Sequence, residues 1–501
     1  QRLIQWALYY PAVLDPSDLF SDHVPGNLAA SVEAYRTGDL LRALRLMEGS
    51  PETAVERSYL AALLLAVGQV EESERLLAAV EPSSKVGTAL RVMIATVRGD
   101  DEPQLISHPT TATEWLAMSY WQQSRNELEA ARQAAREVVG LAPGFGFGWA
   151  RLAELEFSFG DLKAMRRALD KAFALSPRNA QAAALSGFIL AAEGKPDEAI
   201  QRFNEAIALD GALGNAWLGR GLARFFAGDR ALGRADLQVA ATLEPQRSIL
   251  RSYLAKGFAE TRDLKHAESE LALARQLDPN DPTPLLYSAL LRQQQNRVNE
   301  AVTDLQESSR LNDHRALYRS RLLLDQDQSV RSANLAALYR DNGMIDLSVR
   351  EASRSVNLDY ANHSAHLFLA NSYDALRDPR QINLRYETPW LSELLVANLL
   401  APVNAAALSQ AVSQQEYSRL FAGDELGFSS GTEYQSRGDW TQYGSLYGTQ
   451  GRSGFALDVL YRDLAGDAPN TDVQQFDLSA KFKQQLTAQD SVLFQAVYSD
   501  Y

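Results

Sequence analysis

No cysteine occurs anywhere in the 501 residues. This excludes a disulfide framework and a thiol nucleophile, and fits cytosol and periplasm equally. No run of about 20 apolar residues exists either, so the sequence offers no transmembrane helix. Positive charge is in deficit: 49 Lys and Arg face 63 Asp and Glu, a formal net charge of −14. That balance argues for solubility and against a nucleic-acid footprint. Histidine is scarce. Of the six, His23, His108, His266, His314, His363 and His366, only the last two share a helix face, at i and i+3. No further metal ligand accompanies them, and they read as solvated repeat residues. Gly144-Phe145-Gly146-Phe147-Gly148 has glycine spacing but neither a preceding strand nor a following Lys-Ser/Thr, so it reads as a turn and not a phosphate loop. No Ser-His-Asp set or carboxylate pair stands out. No enzyme, cofactor or metal is expected.

What the chain does have is a clock. Pro109, Pro143, Pro177, Gly211, Pro245, Pro279 and Asp313 stand 34 residues apart without a slip, and Trp115, Trp149 and Trp217 each follow an anchor by six. A fixed period of this length marks a solenoid, in which each unit buries its apolar face against its neighbours. Read from Pro177, the unit is a helix from Ala180 to Ala192, a break at Glu193-Gly194-Lys195-Pro196-Asp197, and a helix from Glu198 to Leu209. Gly194 suits a left-handed cap and Pro196 a helix start. The break recurs at Phe159-Gly160-Asp161, Ala227-Gly228-Asp229, Thr261-Arg262-Asp263 and Asn342-Gly343-Met344. Small residues fall ten after an anchor (Gly187, Gly221, Ala255, Ala289) and twenty-two after (Ala131, Ala199, Ala267, Ala301). These are expected points of close helix approach. Trp149 and Trp217 are expected to be buried between adjacent helices.

Gly187, Ala199, Phe203, Ala206 and Gly211, then Trp217, Gly221, Leu237, Ala240 and Pro245, carry a resemblance to the tetratricopeptide repeat family. Arg251 departs from it where a bulky apolar residue is usual. The resemblance implies a mainly α protein: a right-handed α-solenoid of about ten helix pairs with a concave inner face. Upstream, Tyr35-Arg36-Thr37-Gly38-Asp39 and Ala66-Val67-Gly68-Gln69 read as breaks of shorter units. Downstream, Asn357-Leu358-Asp359-Tyr360 repeats Gln276-Leu277-Asp278-Pro279 after 81 residues. This places 13 extra residues within 314–332, as a lengthened helix or loop.

From Gly423 the helical period gives way to alternation. Phe455, Leu457, Val459 and Tyr461, then Phe476, Leu478, Ala480 and Phe482, then Val492, Phe494, Ala496 and Tyr498, each point one way. Asp458, Arg462, Asp477, Ser479, Lys481 and Lys483 point the other. Five strands of about ten residues predict an antiparallel β-meander. Their length, and aromatic residues such as Tyr434 and Tyr461 near their ends, fit the first strands of an outer-membrane β-barrel. A soluble sandwich with one buried face is the alternative. The barrel reading needs sequence beyond Tyr501, and the opening Gln1-Arg2-Leu3 also reads as a piece of something longer. Between the parts, Trp390 to Leu400 is amphipathic, and a more polar segment runs from Ser413 to Phe421. The first of these suits a helix capping the last repeat, plugging a barrel mouth or lying on a membrane. The divisions are therefore 1–26, an N-terminal linker; 27–385, the solenoid; 386–422, a helical bridge; and 423–501, the strands.

Repeats followed by porin-like strands resemble the bacterial envelope proteins that join periplasmic repeats to an outer-membrane barrel in exopolysaccharide and adhesin export. Trp6-Ala7-Leu8-Tyr9-Tyr10-Pro11 is similar to the segment between a FecR-type domain and repeats in large envelope proteins. Together they imply a non-enzymatic scaffold in the periplasm and outer membrane that assists export or assembly. The partners implied are proteins or peptides in the groove, an exported polymer, and the membrane through the strands, without nucleic acid. A soluble cytoplasmic repeat adaptor with a small β-domain is the alternative. The family's inner-face positions fall here on Tyr120, Glu154, Phe188, Leu222, Lys256 and Leu290, with Phe147, Phe157, Asn215, Phe225 and Gln294 beside them. This face is aromatic and sparsely charged, unlike a Lys/Asn carboxylate clamp, and suits an extended segment or an amphipathic helix. The alternative is that several of these side chains fill the superhelix.

Overall fold

A computed structural model describes residues 12–20, 24–47, 50–98, 106–125, 127–159, 161–192, 195–312, 321–376, 388–401, 425–466, 468, 470–486 and 490–500. Gly160, Gly194, the opening Trp6–Pro11 motif and the polar segment 413–421 lie outside them. The helices α1 (Pro16–Leu19), α2 (Ala29–Arg36), α3 (Leu40–Arg45), α4 (Ala54–Ala66), α5 (Val70–Leu77) and α6 (Lys85–Arg98) come first. The regular array follows as α7 (Ala112–Ser124), α8 (Leu128–Leu141), α9 (Gly146–Ser158), α10 (Leu162–Leu175), α11 (Ala180–Ala192) and α12 (Pro196–Leu209). It continues through α13 (Gly214–Phe226), α14 (Arg230–Leu243), α15 (Ser248–Glu260), α16 (Leu264–Leu277), α17 (Thr283–Gln294) and α18 (Val298–Arg310). The last helices are α19 (Arg321–Asp341), α20 (Ile345–Leu358), α21 (His363–Asp374) and α22 (Pro389–Leu400). Five strands close the chain: β1 (Glu425–Tyr434), β2 (Trp440–Gln450), β3 (Ser453–Leu464), β4 (Val473–Gln485) and β5 (Ser491–Asp500).

The second helices from α8 to α18 begin at Leu128, Leu162, Pro196, Arg230, Leu264 and Val298, 34 apart throughout. α11 has the expected limits, and Pro196 opens α12, where its missing N–H costs nothing. At the break after α13, Gly228 has φ +89°. The same left-handed turn is taken by Arg262 after α15 and Asn296 after α17. The extra residues within 314–332 enter partly as helix, since α19 runs 21 residues where α9 runs 13.

The chain divides into two compact units, Gln1–Ala223 with Ala231–Pro284 and Leu311–Leu324, and Arg224–Arg230 with Leu285–Arg310 and Asp325–Tyr501. In the first unit, close approach within a repeat takes two forms. Ser119, ten after its anchor, donates its hydroxyl to the Ala131 carbonyl across the pair at 2.8 Å. At the same position in a later repeat, a Cβ on Gly221 would meet the Gly233 carbonyl oxygen at 3.0 Å and Leu237 at 3.1 Å. Ala131, Ala199 and Ala267 are wholly buried. Gly221→Ala should therefore cost about 1–3 kcal/mol, because the obstructing atom is backbone and cannot rotate aside. Thermal melts of the full chain check this, and an unchanged midpoint would mean that α13 and α14 can move apart freely.

The two tryptophans are not buried as expected. Trp149 and Trp217 are half-buried, and their indole N–H groups donate to the anchor carbonyls six residues back, Pro143 and Gly211, each at 2.9 Å. Arg251 does the same job, donating from Nε to the Pro245 carbonyl at 3.3 Å. Where this position carries Trp149, Trp217 or Arg251, it supplies a donor that reaches back to the inter-repeat turn, whereas Ala183 and Leu285 at the same place in other repeats are simply buried.

In the second unit, α22 packs on α21 through Leu367, Ala370, Leu394 and Ala397. His363 and His366 are buried, which overturns the solvated reading. His366 lies between Glu393 Oε2 on α22 and the Tyr360 carbonyl. No group of three or more candidate metal ligands occurs among the described residues. The sheet is a five-stranded antiparallel meander in the order β1-β2-β3-β4-β5, in the register that the alternation requires. Phe455 faces Phe482 and Tyr461 faces Phe476 across β3 and β4, and Phe482 faces Phe494 across β4 and β5.

Candidate binding face of the repeats

Each first helix of a pair carries one residue eleven after its anchor, and the structure shows how differently these side chains are used. Tyr120 is buried beneath the Arg151 guanidinium, whose carbon sits 3.9 Å from the ring centroid. Burial raises the phenol pKa beyond the usual range, against the nearby Arg151 charge. Arg151 was not expected as a site residue. It is fully buried, donates to Ser119 Oγ, the Ser119 carbonyl and Gln123 Oε1, and pairs with Glu154 at 2.9 Å. Only Glu154, half out in solvent, shows a signal in sequence, the i, i+3 spacing to Arg151. Phe188 is half-buried with its ring edge-on to Phe203 of α12, centroids 5.0 Å apart. Leu222 is fully buried, so charge placed there would disturb repeat packing. Asn215 is half-buried on α13, and Phe157 on α9 is half-buried among Ala135, Leu155 and Met165. Lys256 on α15 is half-buried, and burial pushes its ammonium down to about 8, partly offset by Glu260.

Phe147 is covered by the chain itself. Its ring lies 5.3 Å from that of Tyr35 on α2, and Tyr35 packs edge-on to Tyr59 at 6.2 Å. α2 reaches this place because the turn after it is tied to the turn between α10 and α11. Ser176 Oγ donates to the Arg36 carbonyl, Arg178 N–H to the Thr37 carbonyl, and the Arg178 guanidinium pairs with Asp39. A cavity of about 530 Å³ opens beside this contact, lined by Tyr35, Phe145, Phe147, Thr111, Ser176 and Asp15 among others. In the second unit, Phe225 is buried, Leu290 half-buried and Gln294 exposed. The expected site residues of the first unit thus separate into an outward set, Glu154, Phe188, Asn215 and Lys256, and an inward set, Tyr120, Phe147 and Leu222.

No family model and no curated protein matches the chain. Among solved structures it is similar to a chain of the APC/C hetero-tetramer Cut9–Hcn1, at 14% identity over 76% of this chain and 82% of that one, with a TM-score of 0.50. The helical part has the tetratricopeptide-repeat fold. Yeast Tom70 is also similar, at 13% identity over 75% of this chain and 94% of that one, TM-score 0.41. So is the pilF protein of Pseudomonas aeruginosa, at 19% identity over 40% of this chain and 91% of that one, TM-score 0.33. Among the described residues no helix is long and apolar enough to cross a membrane. In a tetratricopeptide array the faces of the first helices are surfaces on which side chains of several repeats converge.

Proposed function

We propose that this chain is a non-enzymatic interaction scaffold, its tetratricopeptide repeats in the bacterial periplasm and its strands forming part of an outer-membrane β-barrel. The repeats recruit protein or peptide partners, or guide an exported polymer toward the pore. The observation that carries the membrane half of this reading is the inverted sheet. Phe428 is 72% exposed and Phe494 64%, whereas Lys481 and Lys483 are 3% and 2% exposed. A sheet packed on a soluble core buries its apolar face. A barrel wall turns that face to lipid and keeps charge inside.

The polar face is internally organised in keeping with this. Lys481 pairs with Asp458, Ser445 Oγ donates to Asp458, and Ser499 Oγ donates to Asp477. Tyr447 and Tyr443 lie over Gly427 and Gly431, where a Cβ would fall inside each ring. Aromatic side chains of this kind cover the backbone that the glycines leave bare. Loop lengths give a direction. The β2–β3 turn, residues 451–452, and the β4–β5 turn, 486–490, lie at the end where Lys483 meets α22. The β1–β2 turn, 435–439, and the longer β3–β4 loop, 465–472, lie at the other. Barrels of the outer membrane keep short turns on the periplasmic side, and the two-residue turn at 451–452 favours that side for the end of the sheet that meets α22. Closure into a barrel would proceed along the outer edges of β1 and β5, which no described strand covers.

Two measurements test the halves separately. Val459→Arg, in mid-strand on the apolar face, should weaken insertion of the full chain into lipid vesicles by about 2–4 kcal/mol, whereas Ser479→Lys, on the polar face opposite Asp458, should be tolerated. Full-chain protein that is monodisperse in plain buffer, and indifferent to Val459→Arg, would sink the barrel and leave a soluble adaptor. For the repeats, Phe188→Asp places charge at a half-buried position beside Phe203 and should abolish partner capture while helical content stays level. Retained capture would move the binding surface elsewhere.

A further inference from the structure

Residues Ala12–Phe20 belong to no helix pair. Ala12 to Asp15 are in neither helix nor strand, Asp15 is extended, and α1 is a single turn. Yet Ala12, Val13 and Leu14 are as buried as any core residue and join one apolar cluster with Tyr35, Tyr59, Leu116 and Phe147. The first helices α2, α4, α7 and α9 therefore close around a segment that is not itself a repeat.

The way the segment is held is that of a bound peptide. Its main chain is gripped by side chains: Tyr35 Oη donates to the Leu14 carbonyl at 2.8 Å, and Asp15 N–H donates to Thr113 Oγ1 at 2.9 Å. Its carboxylate Asp18 accepts from both the backbone N–H and the hydroxyl of Thr113, at 2.8 and 2.6 Å. This satisfies a donor that the first turn of α7 would otherwise leave open. Side chains reading main-chain atoms accept any extended segment, and the selectivity then comes from the apolar pockets and the carboxylate position. The segment does not fill the space, since Asp15 to Asp18 form one wall of the 530 Å³ cavity whose other walls include Phe145 and Phe147.

We infer that this face of the amino-terminal repeats is a peptide groove occupied in cis by Ala12–Phe20, and that its ligand in trans is a segment of the same pattern, an apolar triplet followed by Asp-Pro-Ser-Asp. The inference rests on the scaffold reading of the repeats and is independent of the membrane sheet. The tethered segment acts as a competitor at high effective concentration, so a partner binds only when it is displaced.

The test uses the full chain and a fluorescein-labelled peptide of residues 11–20. Leu14→Asp puts charge at a wholly buried position and should release the segment. Fluorescence polarisation should then show the peptide binding the variant roughly 10-fold or more tighter than the unaltered chain. A peptide carrying Leu14→Asp and Asp18→Asn should not bind. In case Leu14→Asp prevents folding, a second protein carries a site-specific protease sequence inserted within residues 21–23 and is cut after folding. The labelled peptide should exchange into the cut protein with helical circular dichroism unchanged. Failure to exchange, or loss of helical signal as the segment leaves, would show that it is an integral part of the core and overturn the inference. If the peptide fails while Phe188→Asp still abolishes partner capture, the groove inference falls and the scaffold reading stands.

Discussion

Phe203→Ala should lower the stability of the first unit by about 3–5 kcal/mol, the range for removing a buried aromatic ring that neighbours cannot collapse upon. Phe203 of α12 is fully buried and sits where three elements converge. A Cβ at Gly187 of α11 or at Gly219 of α13 would fall within 2.7 and 2.2 Å of its ring, and Phe188 packs edge-on against it. The two glycines admit the ring, so its loss leaves a cavity walled by backbone. Trp217→Ala should cost distinctly less, because that indole is half-buried and loses mainly one hydrogen bond to Gly211. Denaturant titrations of the two variants, followed by circular dichroism, should give a clearly lower midpoint for Phe203→Ala. The reverse order would mean that the anchor staple outweighs the interior ring in holding the array.

A loss of similar size, about 3–5 kcal/mol, is expected for Asp236→Ala, because it strands a guanidinium in a largely dry place. Arg220 of α13 makes two parallel bonds to Asp236 of α14, 2.8 and 2.7 Å, with both side chains nearly removed from solvent. The same guanidinium stacks over Trp217 at 4.5 Å and donates to Asn204 of α12, so one charge pair joins three helices. Asp236→Asn, which keeps one acceptor, should lose less than the alanine variant. Replacing Arg220 and Asp236 together with methionine and leucine should recover much of the loss, since the cost lies in the unpaired charge and not in the missing attraction. A double variant as unstable as Asp236→Ala would show instead that geometry, not desolvation, sets the penalty.

Much of the repeat architecture was legible because it is local. Pro196 opening α12 and the alanines twenty-two after four of the anchors report spacing along one helix pair, and spacing is what a sequence displays directly. The two faces of each strand were legible for the same reason, since a period of two fixes which residues share a face. The candidate site was less so. Tyr120, Phe147 and Leu222 share with Phe188 the helical phase of an inner face, but phase does not say what else lies on that face. Arg151 carries only a weak mark, its spacing to Glu154, and nothing local distinguishes a buried arginine from a solvated one.

By itself the sequence determined the 34-residue helix pair, the change to alternating strands after Gly423, and the absence of thiol chemistry. Each follows from a periodicity or from composition, and neither depends on which distant residues meet. Tertiary structure alone decided that Tyr35 covers Phe147, that Ala12–Phe20 lie within the repeats against Thr113, and that His366 is sealed between α21 and α22. It also placed Lys483, whose Nζ donates to the carbonyls of Asn398, Leu399 and Ala401 at the end of α22. Burial draws this amine down to about 8, yet in sequence it is one more polar residue in an alternating strand. The His366 contact to Glu393 spans 27 positions, and the others cited join residues 82 to 140 positions apart. Their partners are selected by the way helices and strands stack, and no local pattern of a single element records that choice.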